Sequence, residues 1–395
     1  HMDDIQNLGI DVLYMTPIFQ SNSCHKYDTT DYYQIDPSFG TTEDLKELVQ
    51  KAHERGMKVV LDAVYNHTGR EFFAFADILE NGEKSKYRDW YFIDGFPLKS
   101  EWGEIPNFKC FGYYGGMPKL NLKNPEVEKY ITDVACYWIK ECDIDGWRLD
   151  VGDEISHFFW KNFRKAVKAV KKDMLIIGEI WHYAGDFLEG DEWDTVMNYP
   201  FYLNLIDLLA DEKITVSQFV QNLGYLKGRL HKNCYPLMWN LIDSHDTARF
   251  LHLCNDNKKK QHLAAAFQLL LPGMPMIYYG DEYAMPGAND PDCRRGMYWD
   301  EEYQDKEMYE WYKRLIQVRK SHACIVEGEL AGSVTEDEEG TIVLIRKNGE
   351  ETIAMIFNCS SSAKKFNEYT QKYNLLTENT FDGNVEGFDA AVIVL

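Results

Sequence analysis

Between residue 10 and about residue 325, apolar positions fall in short runs of four to eight, rich in Val, Ile and Leu, that alternate with segments of helical period. Apolar runs of that length, bounded by turn residues, read as strands buried on both faces. Helices interleaved with them read as repeated βα units around a parallel sheet. Seven runs qualify: 10–16, 57–64, 144–150, 174–179, 195–198, 236–243 and 275–279. The clearest intervening helix has Leu45, Leu48, Val49 and Ala52 at i, i+3, i+4 and i+7, with Thr41 or Thr42 as its N-cap and Gly56 just past its end. Residues 69–118 break the rhythm. They are rich in Gly, Pro, Trp, Tyr and Phe, show no long periodic helix, and read as an excursion between a strand and its helix. From residue 326 the period changes to two, in segments 341–346, 352–358, 372–377 and 390–395 separated by Asn-Gly and Asp-Gly turn signals. That predicts a separate antiparallel β domain.

The expected organisation is therefore a βα barrel over 1–68 and 119–325, a small inserted domain over 69–118 and a C-terminal β domain over 326–395. A length of 395 residues with 45% hydrophobic and 27% charged positions suits a globular chain of two or three units. Charge narrows the partners. Forty-two basic against 64 acidic residues give a net −22, which repels phosphate backbones and anionic lipid heads, so neither nucleic acid nor membrane is expected and a neutral substrate fits best. The longest apolar stretch, 264–279, is interrupted by Gln268, Pro272, Gly273 and Pro275 and falls short of the ~18 residues of a membrane span. Nine scattered cysteines without a C-x-x-C pair, and opening residues without secretory-leader character, lead us to expect a cytoplasmic protein with reduced thiols.

Acidic and histidine residues cluster where strands end, the face on which the loops of a βα barrel build active sites. In Gly146-Trp-Arg148-Leu-Asp150, alternate residues share a strand face, so a guanidinium and a carboxylate point the same way and Arg148 holds Asp150 ionised. Glu179 ends an apolar run two residues before Trp181, surroundings that raise a carboxyl pKa. A protonated Glu opposite an ionised Asp is what glycoside hydrolysis needs: one group protonates the leaving oxygen and the other attacks the anomeric carbon. Asp62 lies in the last part of the second run with Asn66 and His67 just beyond it, and His245 and Asp246 follow the sixth. Both histidines are placed to donate hydrogen bonds to sugar hydroxyls. Each feature alone has an ordinary structural explanation. Their coincidence at four strand ends is what points to one site. The ligand spacings of zinc sites, the G-x-S-x-G of serine hydrolases and the P-loop do not occur. Ten Trp, 25 Tyr and 21 Phe suit stacking on the apolar faces of sugar rings.

At these residues the sequence resembles the α-amylase family of glycoside hydrolases, and within it the cyclomaltodextrinase, neopullulanase and maltogenic amylase group. The motifs run in the family's order: 9–17, Asp62-Ala-Val-Tyr-Asn66-His67, Met117-Pro-Lys-Leu-Asn121, Gly146-Trp-Arg148-Leu-Asp150, Gly178-Glu179-Ile-Trp181, Ser244-His245-Asp246 and 272–282. The resemblance implies a (β/α)8-type TIM barrel, here apparently lacking its first strand, with a C-terminal antiparallel β-sandwich. It implies Asp150 as nucleophile, Glu179 as general acid/base and Asp246 as the third carboxylate. Arg148, His67 and His245 would bind sugar beside the cleaved bond, with Asp62 and Asn66 as structural support. Tyr27 matches a stacking tyrosine, Trp181 a platform for the leaving sugar, and Asp290 with Arg294 a pair holding the next sugar. Glu154 is a further candidate on the leaving-group side.

The implied reaction is retaining cleavage of α-1,4 bonds in cyclodextrins or maltooligosaccharides by double displacement, with the two carboxyls about 5 to 5.5 Å apart. Two other readings share the residues: a glucan transferase, and a truncated, inactive glucan-binding protein. No cofactor is required. The group often holds calcium in the loop after its first strand, and the expectation of calcium weakens with that loop's absence here. An open barrel seam also leads us to expect that a partner chain, as in a homo-oligomer, a rearranged terminus or an upstream segment covers it.

Overall fold

The computed structural model describes residues 1–99 and 105–395, so residues 100–104 of the 69–118 excursion lie outside the described residues. The chain forms two compact units. One comprises residues 1–6, 10–180 and 186–196, and the other residues 7–9, 181–185 and 197–395.

The first unit is built on a five-stranded sheet, β1 (Val12–Met15), β2 (Lys58–Ala63), β3 (Gly146–Leu149), β4 (Leu175–Gly178) and β5 (Thr195–Val196), in that spatial order. All pairings are parallel, with Val12 opposite Lys58, Val60 opposite Gly146, Gly146 opposite Leu175 and Ile177 opposite Thr195. Helix α1 (Thr42–Glu54) crosses from β1 to β2. Thr41 and Asp44 cap it reciprocally, and Leu45, Val49 and Ala52 form its buried stripe, as the periodicity predicts. The excursion does contain a helix, α2 (Phe73–Asn81), which the sequence reading did not expect. Its signal is masked by flanking aromatics: Phe72, Phe75 and Ile78 are buried, but Phe73 and Leu79 are exposed, so no clean apolar stripe appears.

Two tethers fix the ends of β3 and β4. Asp145, just before β3, accepts from His53 Nε2 at 2.7 Å, the Val59 amide at 2.9 Å and Lys171 Nζ at 2.9 Å. At the other end, the Trp193 indole lies against two glycines: a Cβ on Gly178 would come within 2.2 Å of it, and one on Gly152 within 2.8 Å. The indole stacks on Phe187 with ring centroids 4.0 Å apart. Only a residue without a side chain lets this ring reach the strand end that carries Glu179.

In the second unit β6 (Trp239–Asn240) and β7 (Met274–Pro275) form a parallel pair. The longer runs expected at 236–243 and 275–279 contract to two residues each. Pro236 lies in a 3-10 turn and lacks the N–H that a ladder needs. Beyond Asn240 the chain turns so that Asp243 accepts from the Phe250 amide at 2.7 Å. The C-terminal strands are β8 (Glu329–Glu336), β9 (Thr341–Asn348), β10 (Glu351–Asn358), β11 (Tyr373–Asn374), β12 (Asn379–Thr380) and β13 (Asp389–Val394). They make a six-stranded sheet in the order β8-β9-β10-β13-β11-β12. A two-stranded ribbon, 364–365 with 384–385, contributes Val385 to the same core as Val343, Ile356 and Ile393, with Phe366 beside it. The other face of β10 meets helix α3 (Lys258–Leu270), where Phe357 stacks on Phe267 at 4.3 Å.

Gly178→Ala is expected to destabilise the chain by about 1–3 kcal/mol, the usual cost of overpacking a filled interior. A lowered midpoint of urea unfolding checks this, and an unchanged midpoint would show that Trp193 can move aside.

Candidate active site

Within the first unit, the side chains at the ends of β2, β3 and β4 converge on one guanidinium. Arg148 is fully buried. Its Nη1 donates to both oxygens of Asp62 at 3.2 and 3.1 Å and to Asp150 Oδ1 at 3.0 Å, while Nη2 pairs with Glu179 Oε2 at 2.9 Å. The two carboxylates singled out from sequence therefore face a single cation. Asp62 is held further by phenols, accepting from Tyr14 at 2.6 Å and from Tyr27 at 3.1 Å. Burial and the neighbouring Asp62 carboxylate push both phenols well above their ordinary value, so they stay protonated as donors.

Glu179 departs from expectation. Its surroundings are not purely apolar: Oε2 also accepts from the Val151 amide at 2.9 Å. Val151 has φ +46°, a conformation a β-branched residue rarely adopts, and this left-handed turn directly after Asp150 aims its N–H at the second carboxylate. His67 is also more enclosed than expected. Its Nε2 lies 3.0 Å from the Tyr27 carbonyl and its ring stacks on Phe111 at 5.0 Å. The ring is buried, and its contact with the carbonyl fixes a proton on Nε2. Burial drives the imidazole pKa down to about 4, against the opposing pull of the Tyr27 carbonyl.

Asn66 and Glu154 are joined by a residue to which the sequence reading gave no role. Lys119 Nζ donates to the Glu154 carboxylate at 2.8 Å, to its carbonyl at 3.1 Å and to Asn66 Oδ1, and Asn66 Nδ2 donates to Glu154 at 3.1 Å. Tyr14 was likewise missed. The signal available for it was a lone hydroxyl in an otherwise apolar strand, and for Lys119 a charge inside the quoted 117–121 motif.

The second unit assembles its own group. Asp246 Oδ2 is 3.1 Å from His245 Nε2, and Arg294 binds the His245 carbonyl at 2.8 Å, Asp290 at 3.0 Å and Asp246 at 3.5 Å. All four sequence-predicted residues of this set are together. Beneath them Arg249 donates to the carbonyls of Tyr279 at 2.9 Å and Cys293 at 3.2 Å, which fixes the loop carrying Arg294. Trp181 stacks flat on Tyr199 with centroids 3.8 Å apart and remains 39% exposed. Among the described residues no group of three or more His, Cys, Asp or Glu side chains is arranged to hold a metal ion. No described helix is long and apolar enough to cross a membrane.

Residues 1–328 match the family model for the alpha amylase catalytic domain. The chain belongs to the alpha-amylase family. Its catalytic domain is thus of the TIM-barrel type expected from the motifs. Similarity to individual family members extends over most of the chain: 48% identity to a cyclomaltodextrinase of Geobacillus thermopakistaniensis over 92% of this chain and 61% of that protein. An intracellular maltogenic amylase of Bacillus subtilis is 43% identical over 90% of this chain and 60% of that protein. A solved cyclomaltodextrinase structure superposes with a TM-score of 0.95 at 39% identity, covering all of this chain and 70% of that one. The chain spans about three fifths of the length of these curated family members.

The depressed His67 pKa has a definite sign. Between pH ~6.5 and ~4 the unfolded imidazole takes up a proton that the folded one refuses, so stability is lost as pH falls through that window, by about 3 kcal/mol in total. Urea unfolding measured across the window is expected to show this slope in the native protein and a shallower one in His67→Asn.

Proposed function

We propose that this chain is a retaining α-glucan hydrolase that cleaves α-1,4 bonds of cyclodextrins and maltooligosaccharides. The observation that carries the reading is the pair Asp150 and Glu179 on neighbouring nitrogens of Arg148. A guanidinium is planar and rigid, so it fixes the mutual position of both carboxylates before substrate arrives. Asp150 attacks the anomeric carbon while Glu179 gives its proton to the leaving oxygen. Glu179 then takes a proton from water as that water releases the glycosyl group from Asp150. The glycosidic transition state has oxocarbenium character. The carboxylates of Asp62 and Asp150 beside one buried cation leave an excess of negative charge to receive it, preorganised and largely out of water, and Glu179 adds to it as its proton leaves.

Asp246 is assigned the third carboxylate role, orienting hydroxyls with His245, and Asp290 with Arg294 the next sugar. Tyr27, His67 and Arg148 line or support the cleaved-bond position, Asp62 and Asn66 hold it, and Glu154 and Trp181 serve the leaving side. The division into barrel (1–68 and 119–325), inserted domain (69–118) and terminal domain (326–395) is part of the same reading. So is a reducing compartment, supported by nine cysteines all free of disulfides and by the similarity to an intracellular maltogenic amylase. Val12–Met15 ends its sheet with one strand partner among the described residues, and we assign a second copy of the chain to cover that side. Light scattering giving a monomer mass would remove the second copy from the reading.

Asp150→Asn and Glu179→Gln are each expected to lower the rate on maltohexaose by about a thousandfold without unfolding the chain. NMR of the first product formed should show the α-anomer. A β-anomer would overturn retention, and a wild-type rate no higher than those of the variants would overturn hydrolysis altogether.

A further inference from the structure

The second unit holds a set of buried acidic groups that the reaction does not use. Asp243, Asp281 and Arg249 are all buried. Asp243 Oδ2 accepts from the Phe250 amide at 2.7 Å, and Asp281 Oδ1 accepts from Arg249 Nη1 at 3.3 Å. One oxygen of each carboxyl is left, Asp243 Oδ1 and Asp281 Oδ2, and neither meets an N–H or hydroxyl donor. The two carboxyls are instead hydrogen-bonded to each other, Asp281 donating and Asp243 accepting.

Two carboxylates cannot make that bond, because both only accept; one of them must keep its proton. Little in the surroundings could replace it. Arg249 faces the pair, with the rings of Tyr278 and Tyr279 over its guanidinium at 4.5 and 5.0 Å, and bonds Asp281 alone of the two. Glu282, Tyr202 from the helix Tyr199–Leu209 and Tyr312 from the helix Lys306–Ser321 bring acidic or neutral groups toward it. Burial, and then the Asp243 carboxylate beside it, hold Asp281 well above the usual carboxylate range, while burial pushes Glu282 up to about 7.

The place of the bond gives the proton something to hold. Asp243 closes the turn 243–250 on the Phe250 amide, and that turn carries His245 and Asp246. Asp281 lies on the segment that runs on to Arg294, whose loop Arg249 already fixes through the Tyr279 and Cys293 carbonyls. One carboxyl-to-carboxyl bond thus ties together the two stretches that supply His245, Asp246 and Arg294. Without the proton the same contact is a repulsion between like charges where water screens little.

We propose that Asp281 is a positioning residue: it keeps a proton, donates it to Asp243, and by that bond clamps the His245–Asp246 turn to the Arg294 segment, so that the chain's grip on substrate slackens in alkali. The folded chain holds a proton that the unfolded one releases near pH ~4, so the clamp is complete at low pH and is lost as pH rises through the folded value. What the clamped residues grip rests on the glucan reading above, whereas the clamp itself can be tested without sugar.

The amide of Asp281→Asn can donate to Asp243 and accept from Arg249 and has no proton to lose; Asp243→Asn does the same from the other side should the first not fold. Infrared spectra at pH ~8, above the Glu282 value, are expected to show the carbonyl band of a protonated carboxylic acid in the native chain and to lose it in either variant. Hydrogen exchange of amides in 244–250 and 287–295 should match between native and Asp281→Asn at pH ~6 and run about tenfold faster in the native chain at pH ~10. In Glu179→Gln, which binds without turnover, affinity for maltohexaose should fall about tenfold between those pH values, and less than twofold once Asp281→Asn is added. A missing band, equal exchange in alkali, or an alkaline loss of affinity undiminished by Asp281→Asn would each overturn the proposal. So would an alkaline change that Glu282→Gln removes and Asp281→Asn does not. If maltohexaose binds at neither pH, the glucan reading fails, and the band and the exchange still decide the clamp.

Discussion

The first unit depends on one buried cation. Arg148 is enclosed by Asp62, Asp150 and Glu179, and an isolated guanidinium in such a place would be prohibitively unfavourable without them. The dependence runs both ways. Three carboxylates brought together from three strands would repel one another unless a rigid, multidentate donor stood between them. Lysine could not take this role, because a point charge cannot address three partners along fixed directions. The pairing therefore acts as a register mark for β2, β3 and β4 while it prepares the chemistry.

The packing around that cluster serves the same end. Gly178 and Gly152 admit the Trp193 ring, which stacks on Phe187 and holds the loops after β3 and β4 from behind. Val151 pays a conformational penalty in the left-handed region and turns its amide toward Glu179. Strain next to a nucleophile candidate is tolerated here because the surrounding contacts leave the backbone no alternative.

Much of this was legible in the residues. Six of the seven apolar runs contain a strand, because continuous burial selects Val, Ile and Leu without regard to tertiary detail, and the seventh, 275–279, overlaps one at Pro275 alone. The cap at Thr41 and the hairpin turn at Asn348-Gly349, where Gly349 takes φ +60°, follow from local chemistry and were readable for that reason. Strand β8 was missed. It lies at the sheet edge, mostly exposed on both faces and bulged at Leu330–Gly332, so it has no alternation to detect. Tyr14 and Lys119 were missed for another reason. Their partners are 48 residues away for the tyrosine and 35 and 53 for the lysine, and spacing along the chain does not encode who meets whom across a sheet.

Lys119 has a consequence of its own. Its ammonium fastens the 117–121 stretch to the loops bearing Asn66 and Glu154, a task that a bound ion performs in many proteins. A cation carried on the polypeptide is present at fixed stoichiometry. It cannot be diluted away or stripped by a chelator, and no supply in the surroundings is needed to replace it. These three loops stay fastened however scarce divalent ions become.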